Sequence, residues 1–311
     1  MKALSYNIPF IAGKTFKLAL FSDLHLDSPD CDIESLKKHL DACRKEGRYI
    51  LMGGDEFDAI IHSDKKRFTP SRLDMNRDDQ INKKLERAIE LLKPYTDNIL
   101  FIGRGNHEES ILKYSGVDMI DLLIKELNHY KKNGEIQKGN YQNFIRFNWV
   151  KSFKGNSLKT IQHYDILQHH GCGSSAVAIT KGTIDFNRLL HGVSADLVWI
   201  SHKHCSSILP SDPLMYIDSR GEICMKNRQA ILTPSYLKGK SIDNHNVLFA
   251  EKFYTHQALP GYGTINFTPY YDKDSPKIHT DLSIQINPSA KIGELLQIKL
   301  KQGLNLDRSS R

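Results

Sequence analysis

The chain repeats one device that restricts what it can fold into. A short apolar run stops at glycine or serine and hands over at once to Asp, Asn or His. The clearest case is Tyr49-Ile-Leu-Met52, followed by Gly53-Gly-Asp-Glu-Phe-Asp58. Two adjacent glycines let the backbone turn sharply and come close to a bound group. A carboxylate placed there sits at the carboxyl end of a strand, where α/β sheets bind their ligands. Phe16-Lys-Leu-Ala-Leu-Phe21 runs in the same way into Ser22-Asp-Leu-His25, and Asn98-Ile-Leu-Phe-Ile102 into Gly103-Arg-Gly-Asn-His-Glu108. Thr160–Leu167 ends in Gln168-His-His-Gly-Cys-Gly173, and Asp196–Ile200 ends in Ser201-His-Lys-His204. Strand ends that repeatedly deliver oxygen and imidazole donors point to a metal site.

Side chains alternate along an extended strand. On that geometry Asp23-x-His25 and His202-x-His204 each face one way, a sound means of offering two donors to one cation. Helical spacing fills the gaps. Ile33, Leu36, Leu40 and Cys43 form one stripe over Ile33–Glu46, closed by Gly47. Ile81, Leu85, Ile89 and Leu92 form another over Asp79–Lys93, ended by Pro94. Met119–Tyr130 reads as a helix and Lys131–Gly139 as a polar turn. From about Tyr141 the pattern becomes β-like, with strands over Tyr141–Val150, Thr160–Leu167, Asp196–Ile200, Ala230–Gly239 and Gly263–Phe267, while Leu189–Leu197 is mixed. The basic stretch His62–Arg72 is either a phosphate-touching loop or a solvated one. The expected organisation is one domain over residues 1–285. A tail over 286–311 would follow, able to form a short amphipathic helix through Ile292, Leu295, Leu296 and Leu300.

Composition narrows the class. The formal charge is +7 and the pI near 9, which permits a polyanionic substrate such as nucleic acid without requiring one. There is no run of 18 apolar residues, so no membrane span is expected. Met1–Tyr6 has no long apolar stretch of the kind a signal peptide needs. The five cysteines are odd in number and lack metal-finger spacing, which fits a reducing cytoplasm. Oligomeric state is not legible.

Taken together, Asp23-Leu-His25, Gly54-Asp-Glu-Phe-Asp58, Gly105-Asn-His-Glu108, His170 and Ser201-His-Lys-His204 resemble the motifs of the calcineurin-like metallophosphoesterase superfamily. The His170-Gly-Cys-Gly173 segment and Thr233–Lys240 look like phage or prophage-type members. The resemblance implies an α/β, four-layer α-β-β-α fold, a two-sheet sandwich flanked by helices. It also implies two divalent metal ions. Asp23, His25 and His204 would hold one, Asn106, His170 and His202 the other, and Asp55 would bridge them. A metal-bridging hydroxide would attack the phosphate ester. His107 would stand at the leaving group, Asp58 and Glu108 would orient the ligands and His107, and Arg104 is a candidate phosphate contact. Mixed nitrogen and oxygen donors suit Mn, Fe, Zn or Ni, with manganese the first to try. His169 competes with His170 for the ligand position. Ser201 departs from the family's usual glycine and adds a hydroxyl near the site.

Two rivals share parts of this pattern. Gly53–Phe57 spells the GGDEF string of cyclic-dinucleotide synthases, but the upstream region lacks that family's Phe-Lys-x-x-Asn-Asp segment, and the string leaves Asn106, His107, His202 and His204 without a role. An inactive scaffold on the same fold would have lost ligands that this chain keeps. Among active members, a phosphodiesterase or nuclease is favoured over a phosphomonoesterase or protein phosphatase. The protein phosphatases follow Gly-Asp-x-x-Asp with Arg-Gly, where this chain has Ala59-Ile60.

Overall fold

The computed structural model describes residues 1–61, 79–152, 158–171, 183–218, 220–238, 259–271 and 278–289. The His62–Arg72 stretch, Cys172, Gly173 and the chain from residue 290 lie outside them. In chain order, β1 (Lys2–Pro9) and β2 (Phe16–Phe21) lead to α1 (Ile33–Lys45), β3 (Tyr49–Met52), α2 (Gln80–Leu92), β4 (Ile99–Ile102), α3 (Asn106–Ser115), α4 (Met119–Asn128) and β5 (Gln137–Lys138). Then come β6 (Gln142–Ser152), β7 (Leu158–His169), α5 (Thr183–Gly192), β8 (Leu197–Ile200), β9 (Ser207–Ile217), β10 (Ile223–Leu232), β11 (Gly261–Tyr271) and β12 (Ile278–Pro288).

Two six-stranded sheets result, with strand orders β12-β11-β2-β3-β4-β5 and β1-β6-β7-β8-β10-β9. β2 to β5 run parallel, as do β7, β8 and β10. Leu18, Leu20, Leu51, Phe101, Phe147, Trp149, Trp199 and Ile231 fill the space between the sheets. A second cluster packs α1, α2, α3 and α4 on the outer face of the first sheet through Leu36, Leu40, Leu92, Ile111 and Leu123. A third packs Phe186 and Leu190 of α5 on the outer face of the other. This is the four-layer α/β sandwich expected. β3, β4 and β8 are uninterrupted apolar runs, and β2 is broken only by Lys17 near its start, because both of their faces are covered.

Local chemistry sets the helix ends. The Asp32 carboxylate accepts the Ser35 N–H at 3.2 Å at the start of α1, and Gly47, with φ 63°, follows its last turn. Pro94 turns the chain into a short 3₁₀ turn after α2. Several elements were not expected. β1 alternates clearly, Leu4, Tyr6 and Ile8 against Ala3, Ser5 and Asn7; β9, an edge strand, is interrupted by Pro210 and Pro213, and β5 is two residues inside the expected turn. α3 starts on the site residue Asn106, where a capping carboxylate replaces any apolar period: Glu108 accepts the Gly105 N–H at 2.9 Å. β12 pairs with β11 as far as Gly261↔Pro288, so residues 286–288 of the expected tail are strand.

His39 on α1 is hydrogen-bonded through Nδ1 to the Tyr236 hydroxyl at 2.7 Å. Burial pulls its pKa down to about 4, against the opposing pull of Asp32. The folded value lies below the unfolded value of about 6.5, so the unfolded chain binds a proton that the folded chain refuses. This contribution is complete above that pH and is lost as pH falls toward 4. Urea unfolding of wild type and His39→Gln between pH 7 and pH 4.5 is expected to show an extra loss of about 1 kcal/mol in wild type, discounted for partial exposure. Parallel curves for the two proteins would contradict this.

Candidate metal centre

The polar strand ends converge where the two sheets meet at their carboxyl edges. Asp23 and His25 follow β2, Asp55 follows β3, Asn106 and His107 follow β4, His170 follows β7, and His202 and His204 follow β8. Asp55 Oδ2 lies 3.0 Å from His170 Nε2, and Asn106 Oδ1 lies 3.2 Å from the same nitrogen. His204 Nε2 is 3.4 Å from Asp23 Oδ1 and 3.4 Å from His25 Nε2. Two sets of donors each gather within 4.8 Å: Asp23, His25 and His204, and Asp55, His170 and His202. His25, Asp58 and His107 form a third, overlapping set.

The backbone that delivers these groups is not extended, which corrects the strand-alternation reading of Asp-x-His and His-x-His. Asp23, His25, Asp55, His202 and His204 have φ of 53°, 48°, 55°, 70° and 51°. They share a site because the chain turns through the left-handed region at each of them, a conformation that Asp, Asn and His tolerate better than most residues but that still costs energy. Backbone bonds hold these turns. The Asp23 N–H donates to Gly54 O at 2.9 Å and the His25 N–H to Asp55 O at 3.1 Å. The His202 N–H donates to the Asp23 carboxylate at 3.0 Å. Two glycines permit the approach of the loops. A Cβ on Gly54 would lie 2.6 Å from the Arg104 carbonyl carbon, and one on Gly105 would strike the Asp55 carboxylate.

The carbonyl of Gly53 aims the histidine that faces Asp55. It accepts from His170 Nδ1 at 3.1 Å, Gln168 Nε2 at 2.9 Å and Ser201 Oγ at 3.3 Å. With Nδ1 fixed on that carbonyl, His170 turns Nε2 toward Asp55 and Asn106. His169 is not in the cluster; its Nδ1 accepts the Gly171 N–H at 2.8 Å within its own turn. The Ser201 hydroxyl lies 3.4 Å from His170 Nδ1.

Around this set, the Glu108 carboxylate accepts the N–H groups of Asp55, Phe57 and Gly105 at 3.1, 3.0 and 2.9 Å, so it ties the β3 and β4 turns together. Burial and the neighbouring Asp55 push its pKa up to about 7. Asp58 Oδ1 lies 3.2 Å from His25 Nδ1, and the Asp58 carbonyl accepts His107 Nδ1–H at 2.7 Å. The His107 N–H donates to Asp55 Oδ1 at 2.9 Å. Arg104 pairs its terminal nitrogens with Glu109 at 3.2 Å and with Asp118, so its fork ties the β4 turn to α3 and α4. Gln168, Glu56, Asp27 and Lys84, all buried around the site, were not singled out by sequence. Glu56 fills an unspecified position of the Gly-Asp-x-x-Asp motif, and each of the four is defined by its partners.

The donor set fits metal ions. Asp55 Oδ2 and His25 Nδ1 are buried without a hydrogen-bond partner of good geometry. Burial opposes charge on His25 and His170, yet the surrounding carboxylates outweigh it. Asp58 and Asp55 raise His25 to about 9, and Asp55 and Asp23 raise His170 to about 10. Burial also opposes ionisation of Asp55, but His170 and His107 hold its carboxyl well below the usual range. Carboxylate, amide and imidazole donors packed this closely out of water call for positive charge between them, and a divalent cation supplies it without protons.

The family model described as calcineurin-like phosphoesterase matches residues 16–206, from the start of β2 to just past His204. The chain belongs to the calcineurin-like phosphoesterase family. No curated protein matches it in sequence. Among solved structures, Vps29 from Entamoeba histolytica, complexed with Zn²⁺, aligns with 9% identity over 86% of this chain and 99% of that one, TM-score 0.33. A metallophosphoesterase from Sphaerobacter thermophilus aligns with 12% identity over 86% and 88%, TM-score 0.32. GAP50, described as the anchor in the inner membrane complex of Plasmodium, aligns with 10% identity over 87% and 89%, TM-score 0.35. Likenesses at that level carry no argument about this calcineurin-like phosphoesterase; the matched family model does. No helix among its described residues is long and apolar enough to cross a membrane.

Loading the metal-free chain at pH 7 is expected to release protons, because His25 and His170 keep theirs until about pH 9 and 10. Apparent affinity therefore climbs as pH rises toward those values and falls below neutrality. Calorimetric titration with Mn²⁺ or Zn²⁺ in two buffers of different ionisation heat counts the protons. His170→Ala should weaken binding by at least about tenfold. Identical heats in both buffers would contradict the assignment.

Proposed function

We propose that the chain hydrolyses phosphodiesters, nucleic acid among them, as a dinuclear-metal-dependent phosphoesterase. Asp23, His25 and His204 would hold one ion and Asn106, His170 and His202 the other, with Asp55 between. Bound in this way, the ions would acidify a water and neutralise charge on the phosphoryl oxygens. The rest falls to the chain's own groups. Among the clustered side chains His107 is one of the most open, at 17% exposure against 0% for His170. With Nδ1–H donated to the Asp58 carbonyl, its Nε2 faces the cluster, 3.9 Å from Asp55 Oδ2. From there a protonated His107 gives its Nε2 proton to the leaving oxygen as the bond from that oxygen to phosphorus breaks and the bond from water oxygen to phosphorus forms. Asp58 and Glu108 hold the turns that carry these groups.

The observation that carries the diester preference is the absence, at two positions, of a cation for the extra charge of a monoester. Ala59, buried at 3%, stands where the protein phosphatases have arginine, and Arg104 is spent on Asp118 and Glu109. The net charge of +7 suits a polyanionic diester. A phosphomonoesterase is the second reading, and the cytoplasm is the compartment proposed.

The test compares bis-4-nitrophenyl phosphate, 4-nitrophenyl phosphate, and single- and double-stranded DNA with Mn²⁺-loaded protein. Diester or DNA cleavage is expected, lost in Asp55→Asn and reduced about 10²-fold or more in His107→Ala. Turnover of the monoester alone would favour the second reading. Stoichiometric metal without turnover of any of them would reduce the protein to a scaffold.

A further inference from the structure

Asp27 and Lys84 bury a charge pair against the turn that carries Asp58. The Asp27 side chain has no exposure and that of Lys84 has 5%, with Nζ donating to Oδ2 at 2.5 Å. Asp27 Oδ1 accepts the Asp58 N–H at 2.5 Å, and Oδ2 accepts the Ala59 N–H at 3.1 Å. Ala59 has φ 50°, a left-handed conformation costly for a residue with a Cβ and no polar side chain to compensate. The Ala59 N–H and the Asp58 carbonyl belong to one planar trans peptide, so they point in opposite directions. Anchoring that N–H on Asp27 therefore aims the carbonyl away from Asp27, and it meets His107 Nδ1 at 2.7 Å. A peptide that donates to a carboxylate is also polarised into a stronger acceptor.

We propose that Asp27, neutralised by Lys84 of α2, is a positioning residue that sets the tautomer and aim of His107 through the Asp58–Ala59 peptide. The pair thus governs departure of the leaving group more than metal binding. This rests on His107 being the proton donor. The chain of contacts is Lys84 Nζ to Asp27, Asp27 to the Ala59 N–H, the Asp58 carbonyl to His107 Nδ1–H, and His107 Nε2 to the leaving oxygen. Lys84 is essential to it, because a carboxylate at this depth is strongly disfavoured unless a cation pairs with it.

Two measurements test the pair on the full-length chain. The first is ¹⁵N–¹H correlation of the imidazoles in Zn²⁺-loaded protein, with the His107 signals assigned by His107→Ala. In its neutral form, the one left once the imidazolium has given up its Nε2 proton, wild-type His107 is expected to keep its proton on Nδ1. Asp27→Asn should shift it toward Nε2–H, since an amide offers only one acceptor oxygen to two backbone N–H groups and Lys84. An unchanged tautomer overturns the proposal. The second uses 4-nitrophenyl and phenyl esters of whichever phosphate class wild type turns over. In Asp27→Asn, kcat on the phenyl ester should fall about tenfold further than on the 4-nitrophenyl ester, whose leaving group needs little protonation. Metal content should hold, and Asp27→Asn/His107→Ala should be no slower than His107→Ala. Asp27→Asn/Lys84→Met, which removes both charges, should repeat the pattern if the single variant folds poorly. Equal losses on both esters, or loss of metal, would make the pair structural only. If His107→Ala itself shows no dependence on the leaving group, it is the assignment of His107 as proton donor that fails.

Discussion

One carbonyl joins the two sheets at the site. Gly53 O belongs to the sheet that carries Asp23, Asp55 and Asn106, yet its three side-chain donors, His170, Gln168 and Ser201, all come from the other sheet. Without this contact His170 would lose the acceptor that fixes its Nδ1, and with it the aim of Nε2 at Asp55 and Asn106. Close approach is a precondition: a Cβ on Gly53 would lie 2.8 Å from the Trp199 ring. A second tie lies nearby, where Ser22 Oγ and Thr233 Oγ1 are 2.7 Å apart and Trp199 Nε1 donates to that same threonine at 2.9 Å.

The site is expensive in two ways. Five of its members hold positive φ, and Asp23, Asp55, His25 and His170 are essentially out of water. Strain of that kind persists only where the surroundings over-determine it. Here they do: Glu108 binds three N–H groups, Asp27 two, and Asp23 one, each on a turn that would otherwise relax. The carboxylates that shape the backbone are thus mostly distinct from those proposed to meet metal, with Asp23 and Asp55 serving both ends. Stiff turns suit a centre that must hold charge at fixed distances while a phosphate changes geometry.

Much of this was legible before the fold was known. Apolar runs that end in Gly-Asp or Gly-Asn announced their strands, and Asp23, His25, Asp55, Asn106, His170, His202 and His204 do gather at one edge. Asp23, His25, Asp55, His202 and His204 gather through left-handed turns and not through the extended backbone that alternation implies. Alternation assumes extended strand, and the chain leaves strand geometry just before these residues. α3 was missed for a related reason: its first turn is built of site residues, so its start is marked by a capping carboxylate rather than an apolar period. Arg104 read as a phosphate contact because its neighbours in sequence are site residues. Its neighbours in space are Glu109 and Asp118.

The sequence by itself determined the family and which polar residues stand at the strand ends, because strand period, glycine placement and donor type are local properties written in consecutive residues. Tertiary structure alone decided which of two adjacent histidines faces Asp55, where the Arg104 charge goes, and that Lys84, 57 residues from Asp27, closes a buried pair beneath His107. Gln168 and Gly53 are 115 residues apart and meet only because two sheets stack. Such contacts depend on which faces the packed layers bring together, and no short window of sequence holds both partners.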